Sequence, residues 1–170
     1  NVWAIDAPQI GHFYRIKSYQ EGTYLAPERA TSNVDNSTLC YYSENGLIQV
    51  SSGKYYYYNS NKSGFDVEST SHPNVVFQNN ASVNGTFSLG IDTYYAYCGA
   101  KNWIWGSANP TEHWESGYWY GNRFAWYVEE VEVLDYENAG KVGYHTVEAN
   151  NALKNAMDGD PTKLASAIET

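Results

Sequence analysis

Three stretches of the sequence share one phrase: IKSYQEGTYLA at residues 16–26, IQVSSGKYYY at residues 48–57 and FSLGIDTYYA at residues 87–96. In each, an alternating apolar stretch runs into a tight polar or glycine-containing turn and then into a segment led by tyrosine. Alternating apolar residues and short turns are typical of β-strands, so each phrase predicts a strand, a turn and a second strand. A unit of this size cannot bury its apolar face alone, and the three copies are therefore expected to close on one another.

A second phrase follows the first in every copy. It reads TLCYY at residues 38–42, NVVFQ at residues 74–78 and FAWYV at residues 124–128. Three copies of a unit of at least four strands predict about twelve strands in all. A pseudo-threefold barrel capped by hairpins is the closed arrangement that removes most exposed sheet edges.

The opening HFYRIKS and GTYLA segments, the three tyrosine-led returns and the closing FAWYVEEVEV segment resemble the ricin-B-type β-trefoil family. The resemblance is strongest to modules of secreted and surface proteins from gut Bacteroidetes, and it covers residues 12–134. It implies an all-β chain with a β-trefoil of three pseudo-repeats of about four strands. The Gln-x-Trp mark of the family is reduced to Trp126, and Leu39 and Val76 are expected to fill the equivalent core places. The family's sugar-binding residues do not transfer repeat by repeat.

Composition limits the classes of partner. The formal net charge is −9 and no run of Lys or Arg occurs, which disfavours nucleic acid and anionic membrane surfaces. No stretch approaches the roughly 20 apolar residues of a transmembrane helix, so membrane insertion is not expected. The chain begins at Asn1 without Met and reads as a mature or excised fragment whose signal is not shown. An extracellular or cell-surface location is what the resemblance implies.

A change of composition predicts a boundary near residue 135. Residues 1–134 are rich in Val, Ile, Tyr, Phe, Trp and Thr, which suit strands, and form the predicted β-trefoil domain. Residues 135–170 lose aromatics and gain Ala, Asn, Lys and Glu. Thr146 is a candidate N-cap for one short helix, and Pro161 suits the first turn of another. This region is predicted to be a helical tail or the start of a following domain, so other domains of a longer parent chain are possible partners.

Residues that could carry chemistry are scattered. No histidine lies beside a Ser or Cys in a nucleophile-elbow pattern, and the Glu112-His113-Trp114-Glu115 cluster is better explained as a solvated loop. Cys40 and Cys98 lie in different repeats, so sequence leaves open whether they are bridged or free. Neither has a second Cys or His at a ligand spacing, and no metal or cofactor is expected. The sequence predicts a protein that is not an enzyme.

The third repeat carries an insertion between residues 99 and 124 that holds four of the six tryptophans of the chain. Aromatic faces stack on the apolar C–H faces of sugar rings, and neighbouring amide or carboxylate groups hydrogen-bond sugar hydroxyls. For any single one of these tryptophans, core packing is the simpler explanation. The predicted ligand-binding residues are Trp103, Trp105 and Trp119, oriented by Asn102, Asn109 and Glu115.

The tyrosine runs also leave open which side chains face the core and which face outward. Successive strand residues point to opposite faces, so half of each run faces outward, with Tyr56 and Tyr58 as candidates. The leading hypothesis is a non-catalytic carbohydrate-binding or adhesive module that binds a glycan or polysaccharide. A protease inhibitor with Arg29 as its anchor and a structural spacer without a ligand are the alternatives.

Overall fold

The computed structural model describes residues 6–111 and 121–132, and the fold is stated for these ranges. Ten short strands and two single 3₁₀ turns account for the regular structure. The 3₁₀ turns are Ala100–Asn102 and Gly121–Phe124. The strands are β1 Phe13–Ser18, β2 Leu39–Ser43, β3 Gly46–Gln49, β4 Lys54–Asn59, β5 Gly64–Glu68, β6 Val75–Asn79, β7 Phe87–Ile91, β8 Tyr94–Cys98, β9 Ile104–Ser107 and β10 Trp126–Glu130.

All ten strands belong to one antiparallel sheet that curls like a barrel. Strand β10 pairs with β1 and also with β7, and β1 continues through β2 to β3. Two hairpins of the same sheet, β4 with β5 and β8 with β9, meet where Gly64 pairs with Trp105. The chain therefore brings segments that are distant in sequence together at the tips of its hairpins.

The predicted tyrosine-led returns differ between copies. Tyr55 lies near the start of β4 and Tyr94 begins β8, as the phrases predict. Tyr24 lies outside any regular strand and makes only isolated bridges to Lys17 and Thr31. The described residues accordingly contain ten strands rather than about twelve, because the first copy replaces a regular hairpin with these bridges.

The core surrounds Trp126, which is fully buried, as predicted, and donates a hydrogen bond from Nε1 to the Ala96 carbonyl at 2.9 Å. Leu39 is also buried, but in a smaller cluster with Val50. The prediction for Val76 is wrong, because 41% of this residue is exposed and its neighbours Val75 and Phe77 pack on the core instead. A shift of one residue in a strand moves a side chain to the other face.

The prediction that Tyr56 faces outward is also wrong. Tyr56 is fully buried within the main core, because β4 lies between β3 and β5 and its inner face is covered. Tyr58 is partly buried and stacks on Tyr94, with ring centroids 4.0 Å apart and planes 9° apart. The two tyrosines thus share one aromatic contact between the two hairpins.

Both cysteines are free and fully buried. Burial raises the pKa of the Cys40 thiol to about 12. Burial also raises the pKa of the Cys98 thiol, against the opposing effect of a hydrogen bond with Ser18. The question that the sequence left open is resolved in favour of two buried thiols.

Other predictions fall outside the described residues. The proposed helices of the tail, and with them the structure of residues 135–170, belong to this group, as does the Glu112 to Glu115 cluster. Within the described ranges no helix has the length and apolar character needed to cross a membrane.

Candidate ligand-binding cleft

Three chain segments meet beside the hairpin tips and are held there by backbone hydrogen bonds. Glu28 N–H donates to the Phe65 carbonyl at 2.8 Å, and Ile104 N–H donates to the Glu28 carbonyl at 2.9 Å. Gly106 N–H donates to the Ser63 carbonyl at 3.1 Å. Because the main chain itself makes these bonds, the relative positions of the three segments do not depend on flexible side chains.

Two glycines allow the hairpins to approach this closely. A Cβ atom at Gly64 would lie 2.6 Å from the Ile104 carbonyl oxygen. A Cβ atom at Gly106 would lie 2.4 Å from the Tyr58 ring. Any larger residue would force the strands or the ring apart, so the shape of this region depends on glycine at both positions.

Strand alternation sorts the side chains of Trp103, Ile104 and Trp105. Ile104 is buried in the core, whereas both tryptophans are half-buried on the other side. Their ring centroids are 5.8 Å apart and the planes are tilted by 32°. In this segment Ile104 is therefore the residue that fills the core, and the two indoles lie half-buried at the surface.

The two indoles form a wall of a cleft of about 310 Å³. This volume is at the lower end of the roughly 300–1,000 Å³ of small-ligand pockets. Most of its surface is apolar, with one carboxylate and one ammonium group among the lining residues. The lining residues are Glu28, Lys62, Gly64, Phe65, Trp103, Ile104 and Trp105.

Arg29 contacts one of the two tryptophans. Its guanidinium carbon lies 3.8 Å from the centroid of the Trp103 ring, and the two residues also form an isolated backbone bridge. Arg29 is not among the lining residues of the cleft, whereas Trp103 is. Trp103 therefore lines the cleft and also makes a cation–π contact with Arg29.

Lys62 forms ion pairs with two carboxylates at the rim of the cleft. Its ammonium group contacts the Glu28 carboxylate, and it lies 3.2 Å from Asp66 Oδ2. The hydrogen bond to Glu28, and to a lesser degree the one to Asp66, raises the pKa of Lys62. All three side chains are partly exposed to solvent, so the group is a polar rim rather than a buried network.

Backbone strain is concentrated around the same cleft. Six described non-glycine residues have positive φ, and four of them lie in the segments that build it. A non-glycine residue in the left-handed region costs of order 1–2 kcal/mol, and such residues cluster at functional sites. The four are Glu28 at 68°, Ser63 at 53°, Lys101 at 59° and Asn102 at 66°.

The structure describes four of the six predicted site residues and places two of them in the cleft. Trp103 and Trp105 line the cleft together. Asn102 supports it from behind, because its Oδ1 accepts a hydrogen bond from Thr23 Oγ1 at 2.6 Å and its carbonyl accepts one from Ala30 N–H at 2.8 Å. Asn109 lies on the following turn, where its Oδ1 accepts a hydrogen bond from Thr111 N–H at 3.0 Å. Trp119 and Glu115 lie outside the described residues.

Sequence reasoning missed Glu28 and Lys62. They lie 34 residues apart and form an ion pair across the hairpin tips, where backbone hydrogen bonds hold their segments together. No local spacing signals this contact.

A second polar cluster surrounds His72 and is separate from the cleft. His72 Nδ1 lies 2.5 Å from Asp92 Oδ2, and Nε2 lies 2.6 Å from Glu68 Oε1. The ring also stacks on Tyr57, with centroids 5.3 Å apart. Within the described ranges no group of three or more His, Cys, Asp or Glu side chains could hold a metal ion. The cluster links β4 and β5 to the turn before β8.

Comparison with known proteins identifies the fold. The chain matches no protein-family model and no curated protein. It is similar to the structure of a Macrolepiota procera ricin B-like lectin in complex with lactose, with a TM-score of 0.57 and 10% sequence identity over 74% of this chain and 100% of that one. It is also similar to the BEL β-trefoil in an apo crystal form, with a TM-score of 0.54 and 13% identity over 74% of this chain and 97% of that one.

These likenesses confirm the predicted β-trefoil fold, and at such identities they show the fold alone. The described residues therefore form an all-β fold of the β-trefoil type, similar in structure to a ricin B-like lectin.

Proposed function

We propose that this chain is a non-catalytic carbohydrate-binding module whose ligand enters the cleft between Glu28, Lys62 and the two tryptophans. The observation that carries the proposal is the tilted Trp103–Trp105 pair on the wall of an apolar cleft with a polar rim. The ricin B-like lectin with a similar fold was solved with lactose, and this supports a sugar as the class of ligand.

Binding would combine stacking and hydrogen bonding. The apolar C–H face of a sugar ring would lie against the indole rings of Trp103 and Trp105. Hydroxyl groups at the ring edge would donate to the Glu28 carboxylate and accept from the Lys62 ammonium group, since a hydroxyl can do both. The backbone frame described above holds these groups before the ligand arrives, which lowers the entropic cost of binding.

We propose that the cleft binds its sugar ligand without catalysing a reaction. Most glycosidases place two carboxylates on either side of the scissile bond. Among the described lining residues of the cleft, Glu28 is the one carboxylate, and Lys62 already engages it. Glu28 therefore suits the role of a fixed hydrogen-bond acceptor.

We further propose that the scaffold is built of three pseudo-repeats. The similar positions of Tyr55 and Tyr94 at the starts of β4 and β8 support this, as does the meeting of the hairpin tips at one place. On the resemblance seen in the sequence, we place the module in a secreted or cell-surface bacterial protein, where it would act beside other domains. Fractionation of the source cells and their medium with an antibody to this chain tests the location.

The alternative of a protease inhibitor depends on Arg29 as an anchor. That side chain stacks on Trp103, and a protease would have to remove it from the ring before binding it. The structure therefore favours the carbohydrate-binding proposal over this alternative.

A glycan-array screen of the folded domain tests the proposed function. We expect at least one glycan to bind, and we expect Trp103→Ala and Trp105→Ala to weaken that binding by about tenfold or more, since loss of a stacked aromatic removes a dominant contact. Tyr127→Ala is the matched control, because Tyr127 is an exposed aromatic residue outside the cleft. A folded protein that binds no glycan, or equal losses in all three variants, contradicts the proposal.

A further inference from the structure

The rim of the cleft has a charge arrangement that bears on which sugars it accepts. Lys62 is the cation among the described lining residues, and it is already shared between Glu28 and Asp66. These three side chains, called here the rim triad, carry two negative charges and one positive charge. Two other cations lie in the segments that build the cleft, and neither lines it: Arg29 is stacked on Trp103, and Lys101 is exposed.

From this arrangement we infer that the cleft selects neutral sugars over anionic ones, with Glu28 as the residue that sets the selectivity. The inference rests on the proposed function, because it names the class of sugar that the same cleft takes. It concerns uronic acids, sialic acids and sulfated sugars as the excluded group, and uncharged hexoses and their N-acetyl derivatives as the accepted one.

Competition for Lys62 is the first physical reason. An incoming carboxylate or sulfate would have to displace Glu28 or Asp66 from the ammonium group to gain a partner of opposite charge. The displaced carboxylate would then lie beside the ligand's own negative charge, and like charges at close range are unfavourable. A neutral hydroxyl has no such conflict, since it can donate to Glu28 while Lys62 keeps both of its partners.

The fixed position of Glu28 is the second reason. Its φ of 68° is held by two backbone hydrogen bonds, from its own N–H to Phe65 and to its carbonyl from Ile104. The backbone of Glu28 therefore cannot leave the rim without breaking contacts that also position the tryptophan wall. A strained residue held in this way at a site is a reason to infer a role in it.

An array that contains matched pairs tests the inference. Each pair consists of a neutral glycan and its counterpart with one added carboxylate, such as lactose and sialyllactose, or a glucose-terminated and a glucuronate-terminated chain. At near-physiological salt we expect the folded domain to bind the neutral member about tenfold more tightly, a modest value because the triad is solvent-exposed and salt screens it. Equal or tighter binding of the anionic member overturns the inference and leaves the proposed function intact.

Variants assign the selectivity to the rim triad. Glu28→Gln keeps the side-chain shape and the backbone bonds, and we expect the neutral-to-anionic ratio to fall severalfold toward one. Asp66→Asn is a second route to the same result that does not touch the strained residue. Glu44→Gln is the control, because it changes the net charge equally at an exposed turn away from the cleft.

The outcomes separate the two proposals. A ratio that falls in Glu28→Gln and stays unchanged in Glu44→Gln supports the inference, whereas equal ratios in both folded variants overturn it. A folded protein that binds neither member of any pair overturns the proposed function, and the inference is then rejected with it. Near-ultraviolet circular dichroism establishes that each variant is folded.

Discussion

The guanidinium of Arg29 lies 3.8 Å from the centroid of the Trp103 ring. This contact joins two residues that are distant in sequence and restrains the Trp103 indole. Because Trp103 also lines the cleft, we expect Arg29 to act as a positioning residue for the proposed site.

We expect Arg29→Ala to lower the free energy of unfolding by about 0.5–1 kcal/mol, the usual value of an exposed cation–π contact. Arg29→Lys should retain part of this, because an ammonium group attracts the ring but lacks the planar stacking of guanidinium. Urea unfolding measures the loss. The matched control is Lys17→Ala, whose ammonium group lies 5.8 Å from the Tyr24 ring. A loss in Lys17→Ala as large as that in Arg29→Ala contradicts the assigned role.

Two buried tyrosine hydroxyls differ in their partners. In the described part of the chain the Tyr56 hydroxyl has no hydrogen-bond partner, whereas the Tyr14 hydroxyl accepts a bond from Gln9 N–H at 2.8 Å. Removing an unpaired buried group is neutral or favourable, but removing a paired one costs roughly 0.5–1.5 kcal/mol. We expect Tyr56→Phe to keep or raise the free energy of unfolding and Tyr14→Phe to lower it. Thermal or urea unfolding of the two variants measures these changes. A marked loss of stability in Tyr56→Phe would show that its hydroxyl is paired.

Much of the scaffold follows from the sequence. The repeated phrases place strands at both β3–β4 and β7–β8, and the large apolar Trp126 marks the core, because period-two alternation and size are local signals. The predictions that Val76 lies in the core and that Tyr56 faces outward are wrong, because the sequence pattern there is ambiguous. Runs such as NVVFQ and KYYYYN contain apolar residues on both faces, so alternation alone cannot tell which face is covered.

The candidate site was predictable only in part. Trp103 and Trp105 are prominent because tryptophan is rare and four occur in one insertion. Glu28 and Lys62 are ordinary surface residues in sequence, and their role depends on hairpin tips that meet through backbone bonds of long range. Asn102 was selected for its amide, which the structure uses to bind Thr23 instead. Such contacts depend on tertiary geometry that no local pattern records.

The two close-approach glycines should differ in their tolerance of alanine. At Gly64 the added methyl group would meet the Ile104 backbone oxygen, which cannot move without shifting β9. At Gly106 it would meet the Tyr58 ring, whose side chain can rotate at the cost of its stack on Tyr94. Overpacking costs roughly 1–3 kcal/mol, so we expect Gly64→Ala at the upper end and Gly106→Ala below it. Chemical denaturation gives both values, and the reverse order contradicts this account.

Lys101 offers a direct measure of the strain around the cleft. Its φ of 59° lies in the left-handed region, which glycine adopts without a steric penalty. The side chain is exposed, so little packing is lost on its removal. We expect Lys101→Gly to raise the free energy of unfolding by about 1 kcal/mol.

Lys101→Ala is the matched control, because alanine loses the same side chain but keeps the Cβ atom. Lys101→Ala should leave the free energy of unfolding unchanged or lower it slightly. Equal effects of the two substitutions in urea unfolding would show that the side chain, rather than the backbone, sets the difference.

The Cys40 thiol should make stability depend on alkaline pH. Burial raises its pKa from 9.0 to about 12, so between these values the unfolded thiol ionises while the folded one stays protonated. A group whose pKa is raised on folding gives stability that is complete below the unfolded pKa and is lost as pH rises toward the folded one. One such proton corresponds to about 1.4 kcal/mol per pH unit.

We therefore expect the free energy of unfolding of the native chain to fall more steeply between pH 9 and 12 than that of Cys40→Ala, by about 1.4 kcal/mol per pH unit. The comparison uses slopes, because the substitution also leaves a small cavity that lowers stability at every pH. Cys98→Ala serves as the second variant, since its thiol is hydrogen-bonded with Ser18 as well as buried. Identical slopes for the native chain and Cys40→Ala would mean that the thiol is accessible, and a thiol reagent would then react with it in the folded protein at neutral pH.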